Sequence, residues 1–367
     1  MTRTMISALS GALVAIAFTA ALGATQNITP AVQKGTAWRF AVSGDSRDCG
    51  DVVMPGIAAA VLRDDVQFYW HLGDFRKLSD LDEDIVHEPE HASSSLTMAH
   101  YQDIAWQDFI DNQLQPFAPL PVFLAIGNHE MVPPKNREML LRQFANWFDA
   151  PVIAQQRTAD DRGDQSVKTY YHWIENGVAF YTLDNATGEQ FDAAQLAWFE
   201  WALAHDSADP AITAIVAGMH EALPDSISAD HSMNGSADGL ESGRRVYADL
   251  LAAQNVGHKH VYLIASHSHY FMDGIFNTAY WRSHGGVLPG WIIGTAGAVR
   301  YALPPQSADA RAAQTNVYGY GLLTVQPSGE IALEYKRLSE NGVPAAVVSR
   351  YTPNFVHWCF AKNSQAN

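Results

Sequence analysis

Six side chains in this sequence have the types and the placement to grip metal cations: Asp45, Asp74, Asn128, His220, His267 and His269. All offer oxygen or nitrogen and none a thiolate, a donor set that suits Mn, Fe or Zn in a hydrolytic site. Six donors are too many for one tetrahedral zinc. They are about right for two cations ~4 Å apart that share a carboxylate, hold a hydroxide for in-line attack on phosphorus and neutralise the phosphate oxygens.

Such donors must be delivered to one point by the fold, and each stands at the end of a short apolar run. Val122 to Ile126 leads into Gly127-Asn128-His129-Glu130. Phe40 to Ser43 leads into Gly44-Asp45, and Phe68 to Leu72 into Gly73-Asp74. Ile215 to Ala217 leads into Gly218-Met219-His220, and Val261 to Ala265 into Ser266-His267-Ser268-His269. Short apolar runs of this kind read as buried parallel strands. Ligands of open α/β sheets sit beyond the carboxyl ends of the strands, where these polar residues fall. One such strand end would be an ordinary turn. Five of them are hard to obtain by chance.

Between the strands, helices are predicted over Val53–Arg63, Tyr101–Leu114, Arg137–Phe148, Ala193–Ala204 and Val246–Gln254. Asn176-Gly177 marks a hairpin turn between Tyr170–Ile174 and Val178–Leu183. After Gly290 the chain reads as strands, with Pro327-Ser328-Gly329 turning between the last two. The fold class is α/β: two stacked β-sheets with helices outside. Residues 37–350 form one domain, after a linker at 24–36 and before a tail at 351–367. The acidic loop 77–99 and the loop 221–243 wall the pocket.

The chain has 367 residues and a net charge of −16. That charge argues against a nucleic-acid backbone as the main partner, since such binding relies on Lys and Arg. It leaves a small phosphorylated substrate open, because a bound metal reverses the local field. Arg3 followed by the uncharged stretch Met5–Leu22 resembles a secretory signal with a small-residue cleavage site at 21–23. An exported protein, periplasmic or secreted and without a stable membrane anchor, is the expectation. In that setting Cys49 and Cys359 could pair, or could stay as two buried thiols.

The five blocks, in this order from residue 38 to about 300, resemble the motif blocks of the calcineurin-like metallophosphoesterases. The resemblance implies a four-layer α/β/β/α sandwich of mixed sheets and the hydrolysis of a phosphomonoester or phosphodiester by metal-bound hydroxide. It implies that Asp74 bridges two metals, that Asn128, His220 and His267 complete one site, and that Asp45 and His269 belong to the other. His129 would not ligate. It would meet the substrate and protonate the leaving alkoxide as a general acid.

The chain departs from the family pattern in the first, second and last blocks. The first reads Asp45-Ser46-Arg47 where Asp-x-His is usual, and a guanidinium cannot ligate a metal. Lys77 stands where an Asp or Tyr would orient His129, and Ser266 stands where Gly is usual. The site of Asp74, Asn128, His220 and His267 is therefore the better supported. Arg47 could instead hold a phosphate oxygen through its fork of donors, or be an ordinary paired arginine. These departures also raise an alternative, a non-catalytic protein holding a metal or phosphate at a degraded site.

Other features point elsewhere only weakly. His87-Glu88-Pro89-Glu90-His91 matches the zinc-protease pattern, but Pro89 breaks the helix that pattern needs. His71 reads as a satisfied core histidine. His231, His258 and His284 read as surface residues, although the loop of His231 could fold over the pocket. No phosphate-cradling Gly-x-x-x-x-Gly-Lys and no Gly-x-Ser-x-Gly elbow occurs.

Overall fold

A computed structural model describes residues 35–91 and 96–365. The signal-like segment, most of the linker and part of the acidic loop lie outside the described residues. Twelve strands are described: β1 Trp38–Ser43, β2 Tyr69–Leu72, β3 Val122–Ala125, β4 Tyr171–Glu175, β5 Val178–Thr182, β6 Ala214–Gly218, β7 His260–Ala265, β8 Phe271–Asp273, β9 Gly290–Ile293, β10 Ala312–Gln314, β11 Tyr318–Val325 and β12 Ile331–Leu338. They form two mixed sheets, in the orders β12-β11-β1-β2-β3 and β10-β8-β9-β7-β6-β5-β4. The strands β1, β2 and β3 run parallel, as do β5, β6, β7 and β9. This is the expected pair of stacked sheets with helices outside.

Alternation along the strands explains the stacking. Phe40, Phe68, Trp70 and Phe123 of the first sheet's strands and the segment leading into β2 meet Trp173 and Phe180 of the second. The ring centroids lie 5.1 Å apart for Phe40–Phe180, 5.3 Å for Trp70–Trp173 and 4.0 Å for Phe123–Trp173. Aromatic pairs at this range add to the area they bury. Ala179 and Tyr181 point the other way, into a second core with Phe199 of the helix Ala193–Ala208 and Tyr247 of the helix Ala237–Asn255. Two rigid sheets thus hold their parallel strand ends at one rim.

Several elements differ from the sequence reading. The helix predicted to begin at Val246 begins at Ala237, where the Ser236 side chain caps it by accepting from Gly239 N at 2.9 Å. The predicted Tyr101–Leu114 helix loosens into a π-turn over Phe109–Leu114, which brings Gln113 to Asp51 at 2.8 Å. Arg137–Phe148 breaks at Phe144 into two short helices. The tail after Tyr351 carries a helix, Pro353–Ala361, whose Phe355 and Val356 are buried. A disulfide between Cys49 and Cys359 ties that helix to the loop after β1. No helix among the described residues is long and apolar enough to cross a membrane.

Away from the strand ends, β4 carries a buried ion pair. His172 contacts Asp160 through Nε2, and its Nδ1 lies 3.4 Å from Asp206. It borders a cavity of about 480 Å³ that is also lined by Arg157, Lys168, Trp198 and Trp201. Burial opposes the charge on His172, but the two carboxylates outweigh it and push the imidazole from 6.5 up to about 9. A histidine raised in the folded state stabilises fully below its unfolded pKa. That contribution, on the order of 3 kcal/mol, is lost as pH rises from about 6.5 through about 9. The expected result is that wild type melts well above His172→Gln at pH 6 and that the gap closes by pH 9.5. A gap independent of pH would contradict the charged pair.

Candidate metal centre

The first sheet supplies Asp45, Asp74 and Asn128 just past β1, β2 and β3, and the second supplies His220, His267 and His269 past β6 and β7. One ligand atom from each of Asp45, Asp74, His220 and His267 lies within 4.8 Å of the other three. His220 Nε2 lies 3.0 Å from Asn128 Oδ1, 3.0 Å from His267 Nδ1 and 3.3 Å from Asp74 Oδ1. The sheets therefore bring Asp74, Asn128, His220 and His267 to a common point. Asp45 Oδ1 faces His269 Nε2 at 3.3 Å on the adjoining side.

The backbone is bent to achieve this. Asp45, Asp74 and His267 have φ of 61°, 58° and 62°, the left-handed region that side chains other than glycine seldom adopt. Such departures gather at functional sites, where surrounding structure enforces them. Two glycines make the approach possible. Gly73 has φ 91°, and a Cβ there would collide with the backbone of Gly127. A Cβ on Gly127 would strike Asp74 Oδ1 and come within 2.8 Å of His220 Cε1. The Ser266 departure has a local reason as well. Its Oγ donates to Leu72 O at 2.7 Å and faces Gly44, where a side chain would collide with it.

The donors are oriented by bonds to main-chain carbonyls. His220 Nδ1 donates to Leu72 O at 2.9 Å, which turns Nε2 toward Asp74 and Asn128. His269 Nδ1 donates to Val299 O at 2.6 Å, which turns its Nε2 lone pair inward. Metal-binding histidines are held in this way. Burial disfavours a charge on His220, but Asp74 outweighs it and carries the imidazole up to about 10. Asp45 Oδ1 and Asp74 Oδ2 are buried without a hydrogen-bond partner. Buried carboxylate oxygens with no donor are costly and call for a cation. At the position of Asp74, Asn128, His220 and His267 it is the converging oxygen and nitrogen donors, 3.0–3.3 Å apart around His220 Nε2, that fit a metal.

Glu130 fastens the second and third blocks together. Its carboxylate accepts from the N–H groups of Asp74 and Phe75, both at 2.8 Å, and of Gly127 at 2.7 Å. Burial and Asp74 raise its pKa to about 8, while the donors pull the other way. Glu130→Gln sets an amide NH₂ against an N–H donor. It should cost about 2 kcal/mol in urea unfolding and weaken metal affinity. Unchanged stability and affinity would show that the clamp is idle.

His129 lies beside the centre rather than in it, with Nε2 3.9 Å from Asp74 Oδ2. The orienting partner expected from a side chain at position 77 is present in another form, because His129 Nδ1 donates to the Lys77 carbonyl. Arg47 is buried and reaches the metal centre. Nη1 meets His129 Nε2, Nη2 meets His269 Nε2 at 2.7 Å, and Nε faces Asp74 Oδ2 at 3.5 Å. Asp51 turns away to Arg76, which also meets Asp84 and Asp108, so it supplies no ligand. Asp51, Glu88 and Asp108 stand close enough to share a cation, but Arg76 bonds Asp51 and Asp108, and Arg350 bonds Glu88.

The remaining histidines are placed as follows. His71 is a core histidine, accepting from Gly73 N at 3.3 Å and bonded to Ser46 Oγ at 3.0 Å. The protease-like segment forms no metal pair: His87 stacks on Phe355, and Glu88 bonds Arg350 and Tyr351. His231 follows the second of its two readings, a loop over the pocket, and not the surface one. Its loop folds over the centre and sets the ring 5.4 Å from that of His267 and 5.1 Å from Tyr301. Tyr301 in turn stacks on His269 at 3.9 Å. Sequence reasoning missed Tyr301, which lies in no motif block and follows β9 by several residues.

The sequence profile of the calcineurin-like phosphoesterases matches residues 51–271. That is more than half of the chain, which belongs to this family of hydrolases acting on phosphoester bonds. Among solved structures the chain is similar to PhoD, with 14% identity and a TM-score of 0.49 over 84% of this chain and 70% of that one. It is also similar to a cold-active protein-tyrosine phosphatase of a psychrophile, Shewanella sp., with 9% identity and a TM-score of 0.29 over 86% of this chain and 84% of that one. No curated protein matches the chain.

Proposed function

We propose that residues 37–350 form an exported, metal-dependent phosphoesterase domain that hydrolyses a small phosphomonoester or phosphodiester by direct transfer to water. The observation that carries this reading is the convergence of one ligand atom from each of Asp45, Asp74, His220 and His267 within 4.8 Å. Asp74, Asn128, His220 and His267 would hold a transition metal such as Mn, Fe or Zn. A cation there supplies Lewis acidity, lowering the pKa of a water and neutralising phosphate oxygens. Export is supported by the Cys49–Cys359 disulfide, since such bonds persist in oxidising compartments.

The chain's own residues handle the proton and the phosphate. His129 holds its ring by Nδ1 donation to the Lys77 carbonyl, leaving Nε2 to carry the proton for the leaving oxygen. With that proton on, Nε2 can no longer accept from Arg47. Loading the acid therefore frees Nη1 of Arg47 to donate to a phosphate oxygen. As the oxygen of water bonds to phosphorus and gives up its proton to solvent, the P–O bond to the leaving group breaks; its electron pair goes to the leaving oxygen, which takes the proton from His129. Nη1 of Arg47 can then donate to His129 Nε2 again.

The test is hydrolysis of aryl and alkyl phosphates, monoester and diester, by metal-stripped protein with and without Mn, Fe or Zn. Turnover that appears only on metal addition is expected. Metal-loaded protein that leaves every ester intact would favour the binding-protein alternative.

A further inference from the structure

We propose that this chain binds a single metal and that the Arg47 guanidinium permanently takes the place of the second cation. This rests on the phosphoesterase reading above. Asp45, His269 and Asp74 would make up the second position. His269 is prepared as a ligand, with Nδ1 donating to Val299 O and its Nε2 lone pair turned inward. That lone pair is given to Arg47 Nη2 at 2.7 Å, and the Nε2 lone pair of His129 is given to Nη1. Nε of the same guanidinium lies 3.5 Å from Asp74 Oδ2, the oxygen left without a hydrogen-bond partner.

The fork thus stands among the groups a cation would bind, and it brings its own positive charge there. Arg47 is 7% exposed, and both carboxylates are fully buried. An arginine cannot lose its proton at accessible pH, so this charge is fixed. A metal at the same position would place two positive charges in one small buried space, where repulsion is strong. Residue 47, two after Asp45, is an arginine and has no lone pair to give a metal. One divalent metal already matches the charge of the two buried carboxylates, and with the guanidinium beside it a second metal would leave a large uncompensated positive charge. The fork retains donors that can turn to a phosphate oxygen, the service a second metal would provide.

The experiment is metal counting on the intact protein, stripped by chelation, loaded with Mn(II) and desalted. Wild type should hold one equivalent, with the electron paramagnetic resonance spectrum of an isolated ion. Arg47→His should hold two, with a spectrum broadened by coupling between neighbouring ions. His269→Ala should keep the single equivalent, and His220→Ala should lose it. Two equivalents or a coupled spectrum in wild type would overturn this inference while leaving the phosphoesterase reading in place. Arg47→His that folds and stays at one equivalent would overturn it as well. No bound metal in wild type would overturn both. Should Arg47→His fail to fold, the wild-type spectrum and the contrast between His269→Ala and His220→Ala decide.

Discussion

Asp74→Asn lowers kcat toward any phosphoester at least ~10³-fold, the effect of losing roughly 4 kcal/mol of charge stabilisation at the reacting phosphorus. Asp74 is the carboxylate that reaches His220, His129 and Arg47. Oδ1 lies 3.3 Å from His220 Nε2 and accepts from His129 N at 3.1 Å, while Oδ2 has no donor and faces Arg47. Asparagine is nearly isosteric and tolerates the left-handed backbone that residue 74 adopts, with φ 58°. The fold should therefore survive, and circular dichroism and melting temperature should change little. What goes is the negative charge that, with the imidazole of His220, would hold the metal. His220→Ala should lose activity to the same extent, because Nε2 is the atom nearest to Asp74, Asn128 and His267 together. Full metal-dependent activity in either variant would mean that the chemistry happens elsewhere.

The second large effect is selective. His129→Ala should slow hydrolysis of alkyl phosphates about 10²–10⁴-fold, the usual range for removing a general acid. On p-nitrophenyl phosphate the loss should be about tenfold or less, because that leaving group departs without a proton. The position of His129 suits this role: Nε2 lies 3.9 Å from Asp74 Oδ2, beside the centre, and meets Arg47. An equal loss on both substrates would instead assign His129 to binding or to positioning Arg47. The steady-state constants for the two ester classes separate these outcomes.

The strand ends were legible because two signals coincide there. An apolar run long enough for a buried strand stops at a residue that cannot be buried unpaired, and this occurs five times. That coincidence located Asp45, Asp74, Asn128, His220, His267 and His269 without any contact information. What stayed hidden depends on main-chain atoms or on packing between distant segments. The Lys77 carbonyl takes the place of a side-chain partner for His129, and a carbonyl leaves no mark in sequence. His231 and Tyr301 reach the site through the course of their loops, and neither stands at the end of an apolar run. Only the first turns of the helix from Ala237 read as loop in the sequence, where Gly239 and Gly243 interrupt a helical pattern. The structure shows why glycine is needed at 243: the Pro224 ring lies where a side chain would be. The sequence marked Arg47 as a departure, but only the coordinates place its guanidinium against two imidazoles.

The most direct test of the central idea is a titration in which activity and occupancy are read together. Metal-stripped protein is titrated with Mn(II), bound metal is counted, and hydrolysis of an aryl phosphate is measured at each point. Activity that rises from zero in step with metal bound at the Asp74–His220 position, and that is absent at every point in His220→Ala, is the predicted result. Hydrolysis that persists in the stripped protein, or that rises equally in His220→Ala, would contradict it.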